Sequence, residues 1–131
     1  MFSKNNLRKI ARAKLKDAEV LYKNRRYDGA VYLCGYTIEI VLKARICRTL
    51  KWAGFPSTRS EFQSYQSFRT HDLVVLLTLS GIETTITTQY FKEWSIVSKW
   101  SPEMRYNPIG TAKRNDAFNM IEAAKVLVKV L

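Results

Sequence analysis

The sequence predicts an all-α protein, an antiparallel up-and-down bundle of four helices with one short extra helix. Apolar residues recur at spacings of three and four along the long segments, as they do on one face of a helix. The most apolar stretch, residues 29–52, exceeds 20 residues without proline or period-two alternation, which excludes a strand there. Short connections at Asn24–Tyr27 and Pro108–Gly110 favour antiparallel neighbours. A length of 131 residues, 47% of them hydrophobic, fits a single domain over residues 1–131 with a real core.

The first helix is expected to start at Ser3 or Asn6, both good N-caps, and to reach Lys23. Leu7, Ala11, Leu15, Ala18 and Tyr22 share its inner face, while Arg8, Arg12 and Lys16 align on another. Asp28 is the expected cap of the second helix, Gly29 to Trp52, with Gly54 and Pro56 ending it. Apolar residues on most of its sides make it the central helix. Residues 53–69 read as a polar and aromatic loop whose Phe and Tyr side chains cover the core. Thr70 is the expected cap of a short helix from His71 to Leu79, stopped by Gly81. A fourth helix is expected from Thr84 or Thr85 to Lys99, with Tyr90, Phe91, Trp94, Val97 and Trp100 as an aromatic face. Pro102 and Pro108 interrupt the stretch after Trp100, and Thr111 or Asn115 caps the last helix.

The charge is one-sided. Twenty-two Lys and Arg oppose 11 Asp and Glu, a formal net charge of +11 that favours an anionic partner such as RNA or a nucleotide. Arg8, Arg12, Lys16, Arg25 and Arg26 are the expected basic surface. Cys34 and Cys47 fall in one helix ~20 Å apart, too far for a disulfide, so both read as reduced core thiols. One histidine leaves too few ligands for a His/Cys zinc site, and neither metal nor cofactor is expected. No apolar run has the length of a signal peptide or a membrane span, so the expectation is a cytoplasmic protein that does not bind membranes.

Residues 11–46, ARAKLKDAEVLYKNRRYDGAVYLCGYTIEIVLKARI, resemble the opening hairpin of HEPN domains: an Ala-rich helix, a short turn with an aromatic, then a helix with Glu39 and Lys43 four apart. His71 to Leu77, HDLVVLL, resembles the family's H-D-L segment, and Arg105-Tyr106 its late Arg-aromatic element. The resemblance implies a helical bundle that commonly dimerises. It also implies a place beside a nucleotidyltransferase in a toxin–antitoxin or defence pair, nucleotide binding, or RNA cleavage. The family's ribonucleases carry an Arg followed by four to six residues and a His. Here the positions after Arg105 at that spacing are Gly110, Thr111 and Ala112, and the positions before His71 are Ser64, Tyr65 and Gln66. Arg alone cannot move a proton at neutral pH, so the usual ribonuclease chemistry lacks its base.

His71, with Asp72 or Glu39, is the catalytic candidate that this leaves; the plainer reading puts His71 in a hydrogen bond at a helix start. Glu39 and Lys43 have the order of a helical ion pair, and a structural clamp is the plainer reading. Arg105 and Tyr106 can hold a phosphate and stack a base, with Lys43, Arg45 and Arg48 as further phosphate ligands. Phe91, Trp94 and Trp100 offer more aromatic area than one small bundle readily buries, which points to a homodimer. The expected function is RNA or nucleotide binding through a basic surface in a toxin–antitoxin or defence module, without the usual HEPN ribonuclease motif. The alternatives are a non-catalytic partner of a nucleotidyltransferase and a divergent HEPN ribonuclease.

Overall fold

Ser3 starts the first helix: in the computed structural model, which describes residues 1–131, its hydroxyl accepts the Asn6 N–H at 3.2 Å. Helix α1 runs Lys4–Lys23 and buries Leu7, Ala11 and Ala18. Asn24 closes it, its amide donating to Val20 O at 2.8 Å, and Arg25 turns the chain at φ 60°. Helix α2 is next, at Tyr27–Leu50. Asp28 does not cap it. It lies inside the first turn, where its carboxylate is free to reach elsewhere, and the N-cap is Arg26, which makes no side-chain cap bond. Gly54 and Pro56 do not end it either. Lys51 does, in the left-handed conformation at φ 56°, while the Trp52 N–H donates to Cys47 O at 2.9 Å.

Gly54 has a different task. Strand β1, Phe2–Ser3, pairs antiparallel with strand β2, Gly54–Phe55, in the register Phe2↔Phe55 and Ser3↔Gly54. A Cβ on Gly54 would sit 2.6 Å from the Phe2 carbonyl oxygen, so only glycine lets the strands approach. The expected loop 53–69 also holds the one-turn helix α3, Arg59–Phe62, and a 3₁₀ turn, Gln66–Phe68. Trp52 contacts Tyr65 and Phe68 with ring centroids 5.0 Å away in each case, and Phe55 contacts Phe62 at 6.1 Å. These rings seat the segment over the end of α2.

Helix α4, Leu73–Leu79, starts later than Thr70 would set it, because Asp72 is the cap. Its Oδ1 accepts the N–H groups of Val74 and Val75, while Thr70 Oγ1 accepts the N–H of Asp72. Gly81, at φ 80°, ends the helix as expected. The continuous fourth helix is instead two: α5, Glu83–Gln89, and α6, Phe91–Val97, broken at Tyr90. Thr87 and Thr88 donate back to the carbonyls of Glu83 and Thr84, a competition that weakens a threonine-rich helix. After a 3₁₀ segment, Pro102–Tyr106, helix α7 runs Arg114–Val130. Its N-cap is Lys113, not Thr111 or Asn115, and Asp116 accepts the Lys113 N–H at 2.8 Å.

The protein is all-helical, with the two-stranded ladder as its only sheet. α2 is central and packs against α1, α4, α6 and α7. One core of 28 residues extends from Leu7 to Leu131. Trp94 and Trp100 belong to it, at 8% and 4% exposure, so the aromatic surplus expected of them is absent; of the three, only Phe91, 68% exposed, faces out. Cys34 and Cys47 are free and buried, and burial pushes the Cys34 thiol up to about 12. No helix is long and apolar enough to cross a membrane.

Candidate functional site

Tyr32, Tyr36, Glu39 and Lys43 recur along α2 at helical spacing, so they line one side of it. Glu39 is only 2% exposed, yet both its carboxylate oxygens are engaged. Lys43 Nζ donates to Oε2 at 3.1 Å, and His71 Nδ1 lies 3.0 Å from Oε1. An Nδ1–H donating there leaves Nε2 as the free ring nitrogen, on a side chain 65% exposed. Lys43 is further held over the Phe55 ring, 5.4 Å from its centroid, so its charge is already partnered. Asp72, next to His71, faces α4 and caps it rather than touching the imidazole.

Tyr32, Tyr36, Glu39, His71 and Asp72 line a cleft of about 860 Å³, walled opposite by Lys99, Trp100, Glu103 and Arg105, and Lys43 lies outside that lining. Trp100 forms part of this wall by packing directly on α2 at Gly35. A Cβ on Gly35 would fall 2.1 Å from the indole ring, so the approach needs a residue without a side chain. The indole N–H is buried without a partner. Tyr32, Lys99 and Arg105 also border a second cleft of about 590 Å³, on whose far side stand Asp28 and Asp116. Arg105 and Lys99 thus stand on the ridge between two hollows.

Arg105 is exposed and forms no ion pair, although Glu103 is two residues away. Its guanidinium lies 4.9 Å from the Tyr106 ring centroid, and the oxygens of Tyr106 and then Tyr32 hold its pKa above the ordinary value. Acids around the two clefts are mostly engaged. Glu39 is paired, Asp72 and Asp116 accept backbone N–H groups, and Asp28 accepts those of Gly110 and Ala112 at 2.7 and 2.8 Å. These two bonds, Gly110's first, lower the Asp28 pKa and fix the segment beyond Arg105.

The structure therefore brings Glu39, His71 and Asp72 together beside the same cleft as Arg105, with exposed Tyr106 stacked against that arginine, while Lys43 pairs with Glu39 outside the cleft lining. It leaves Arg45 and Arg48 out of the cleft lining, and their charges act on Arg8 instead. Lys16, Arg25 and Arg26 lie apart from the cleft. Lys99, Tyr32, Tyr36 and Trp100 were not among the sequence candidates for a site. The polar stripe at 32, 36 and 39 in an otherwise apolar helix is the signal that marks the side of α2 facing the cleft.

Residues 5–60 match the HEPN domain family. The match covers α1, α2 and β2, which bears out the resemblance carried by the opening hairpin, and the all-helical fold agrees with it. His71 and Arg105 lie beyond the matched residues. No curated protein and no solved structure matches the chain. At the level of the family, the HEPN match supports a role connected with nucleotides or RNA.

Proposed function

We propose that the protein binds RNA or a nucleotide by its phosphate in the cleft between α2 and the Pro102–Tyr106 segment, as one component of a toxin–antitoxin or defence module. The observation that carries this reading is Arg105. It is a solvent-facing guanidinium that forms no ion pair, set against tyrosine rings and beside Lys99. Such a fork donates two parallel hydrogen bonds to a phosphate, and a neighbouring ring offers a base its face. A copy of the same chain, or a nucleotidyltransferase, is the partner that this reading expects.

Isothermal titration with nucleotides and with single-stranded RNA tests it. Arg105→Ala should weaken the preferred ligand by roughly tenfold or more, the value of one charge-assisted contact. Unchanged affinity in that variant removes the cleft from the function.

The contact of His71 with Glu39 favours a second reading, a divergent HEPN ribonuclease. A buried carboxylate holding an imidazole that lines the same cleft as an arginine is an arrangement that can move a proton near a phosphate. Incubation of labelled RNA without added metal decides between the two. Cleavage that vanishes in His71→Ala establishes the enzyme, and intact RNA leaves the binding module.

A further inference from the structure

α2 has a second charged side. Arg45 lies about 200° around the helix from Lys43, so it leaves α2 on the side away from the cleft. Arg48 comes one turn later. On α1, which packs along α2, Arg8 and Arg12 are likewise one turn apart. Burial and the charges of Arg48, Arg12 and Arg45 together lower the pKa of Arg8, which places all four guanidinia in one field.

No Asp or Glu side chain answers them. The chain has ten arginines, and its five ion pairs use the N-terminus, Lys43, His71 and Lys125 instead. Arg8 Nη2 donates only to the backbone oxygen of Leu131, at 3.2 Å. Arg45 Nε is buried with no hydrogen-bond partner at all. An unpaired buried donor is costly, and gathered like charges add to that cost, so the cluster opposes folding. A bound anion removes both costs. Packed helix axes are roughly 8–10 Å apart, so four guanidinia straddling two of them span more than a single phosphate group.

We propose that Arg8, Arg12, Arg45 and Arg48 form a second phosphate-binding site, on the side of α2 turned from the cleft, which holds consecutive phosphates of an RNA backbone. Only the choice of RNA rests on the function proposed above. The clustering of the arginines and their lack of Asp or Glu partners stand without it. Guanidinium forks match phosphate oxygens two at a time and carry no base preference, so the site adds affinity without sequence selection.

The test is fluorescence anisotropy of a labelled single-stranded RNA across a salt series, using the full chain. Arg12 and Arg48 are exposed, so Arg12→Gln/Arg48→Gln keeps the fold, and circular dichroism confirms this. The double variant should bind at least about tenfold more weakly at low salt, with the log–log salt slope flatter by roughly 1.4, two single-strand contacts. Lys92→Gln/Lys129→Gln, also exposed and equal in charge change, should alter affinity far less. Arg105→Ala should leave the slope difference between wild type and double variant in place, which separates failure of this site from failure of the cleft. Unlabelled inorganic polyphosphate should compete and orthophosphate should compete poorly. An unchanged slope in the double variant, or an equal loss in the lysine control, overturns the proposal. Binding of polyphosphate without binding of RNA overturns its assignment to an RNA backbone.

Discussion

The two sides of α2 treat charge in opposite ways. On the cleft side, Glu39 sits in the core with Lys43 on one oxygen and His71 on the other, so a buried carboxylate is fully satisfied. On the far side, the charges of Arg45, Arg48 and Arg12 act on Arg8, no Asp or Glu side chain pairs with any of the four, and one buried donor is orphaned. The same helix thus carries a closed ionic network and an open one. A closed network holds itself in place and orients what it touches. An open one raises the energy of the free protein and lowers it again only when something negative arrives.

The largest effect should come from breaking the closed side. Glu39→Ala leaves Lys43 partly buried without its partner and should cost about 3 kcal/mol in urea denaturation. A loss below about 0.5 kcal/mol, the scale of exposed surface pairs, would show that both sides are equally open. Next is the wall of the cleft. Gly35→Ala pushes a methyl into the Trp100 ring and should cost about 2 kcal/mol while weakening ligand binding. Retained stability would mean that the ring has room to slide.

Asp28 comes third. Asp28→Asn should cost about 1 kcal/mol near neutral pH, since the two backbone donors lose a charged acceptor that is partly exposed. The folded pKa of Asp28 lies below its unfolded value, so this contribution is complete above the ordinary carboxylate range and disappears as pH falls through the lowered one. Thermal melts of both proteins should therefore differ at neutral pH and converge in acid; a gap independent of pH would assign the effect to something other than the carboxylate charge. The smallest effect has the opposite sign. Arg48→Gln removes a repelling charge from the open side and should leave stability unchanged or raise it by a few tenths of a kcal/mol. A clear destabilisation would show that Arg48 has a structural partner and that the open side is not open.

Much of the fold was legible because it depends on local pattern. Ser3 as a cap, the spacing of Leu7, Ala11 and Ala18, and the apolar density of α2 each specify a helix within a few residues of chain. Errors clustered where two local signals compete. Asp28 looks like a cap because carboxylates accept N–H groups at helix starts, but it serves two N–H groups in the segment beyond Arg105 instead. The break at Tyr90 lies after a threonine-rich run whose side chains take backbone carbonyls, a small preference that packing converts into two helices.

The site divides in the same way. Glu39 and Lys43 could be paired from sequence because residues four apart on a helix are neighbours. The meeting of His71 with Glu39 joins residues 32 positions apart, and no spacing rule reaches that far. Trp100 looked like surplus apolar surface among so many aromatics, yet a glycine on the facing helix makes a place for it in the core. The sequence by itself determined the helical class, the opening hairpin and the excess of positive charge, because these depend on periodicity, short turns and composition. Only the tertiary structure decided which charges meet. Side-chain pairing across helices depends on the rotation of each helix about its own axis, and packing sets that rotation, seating Trp100 on Gly35 and bringing Arg8 into the field of Arg45.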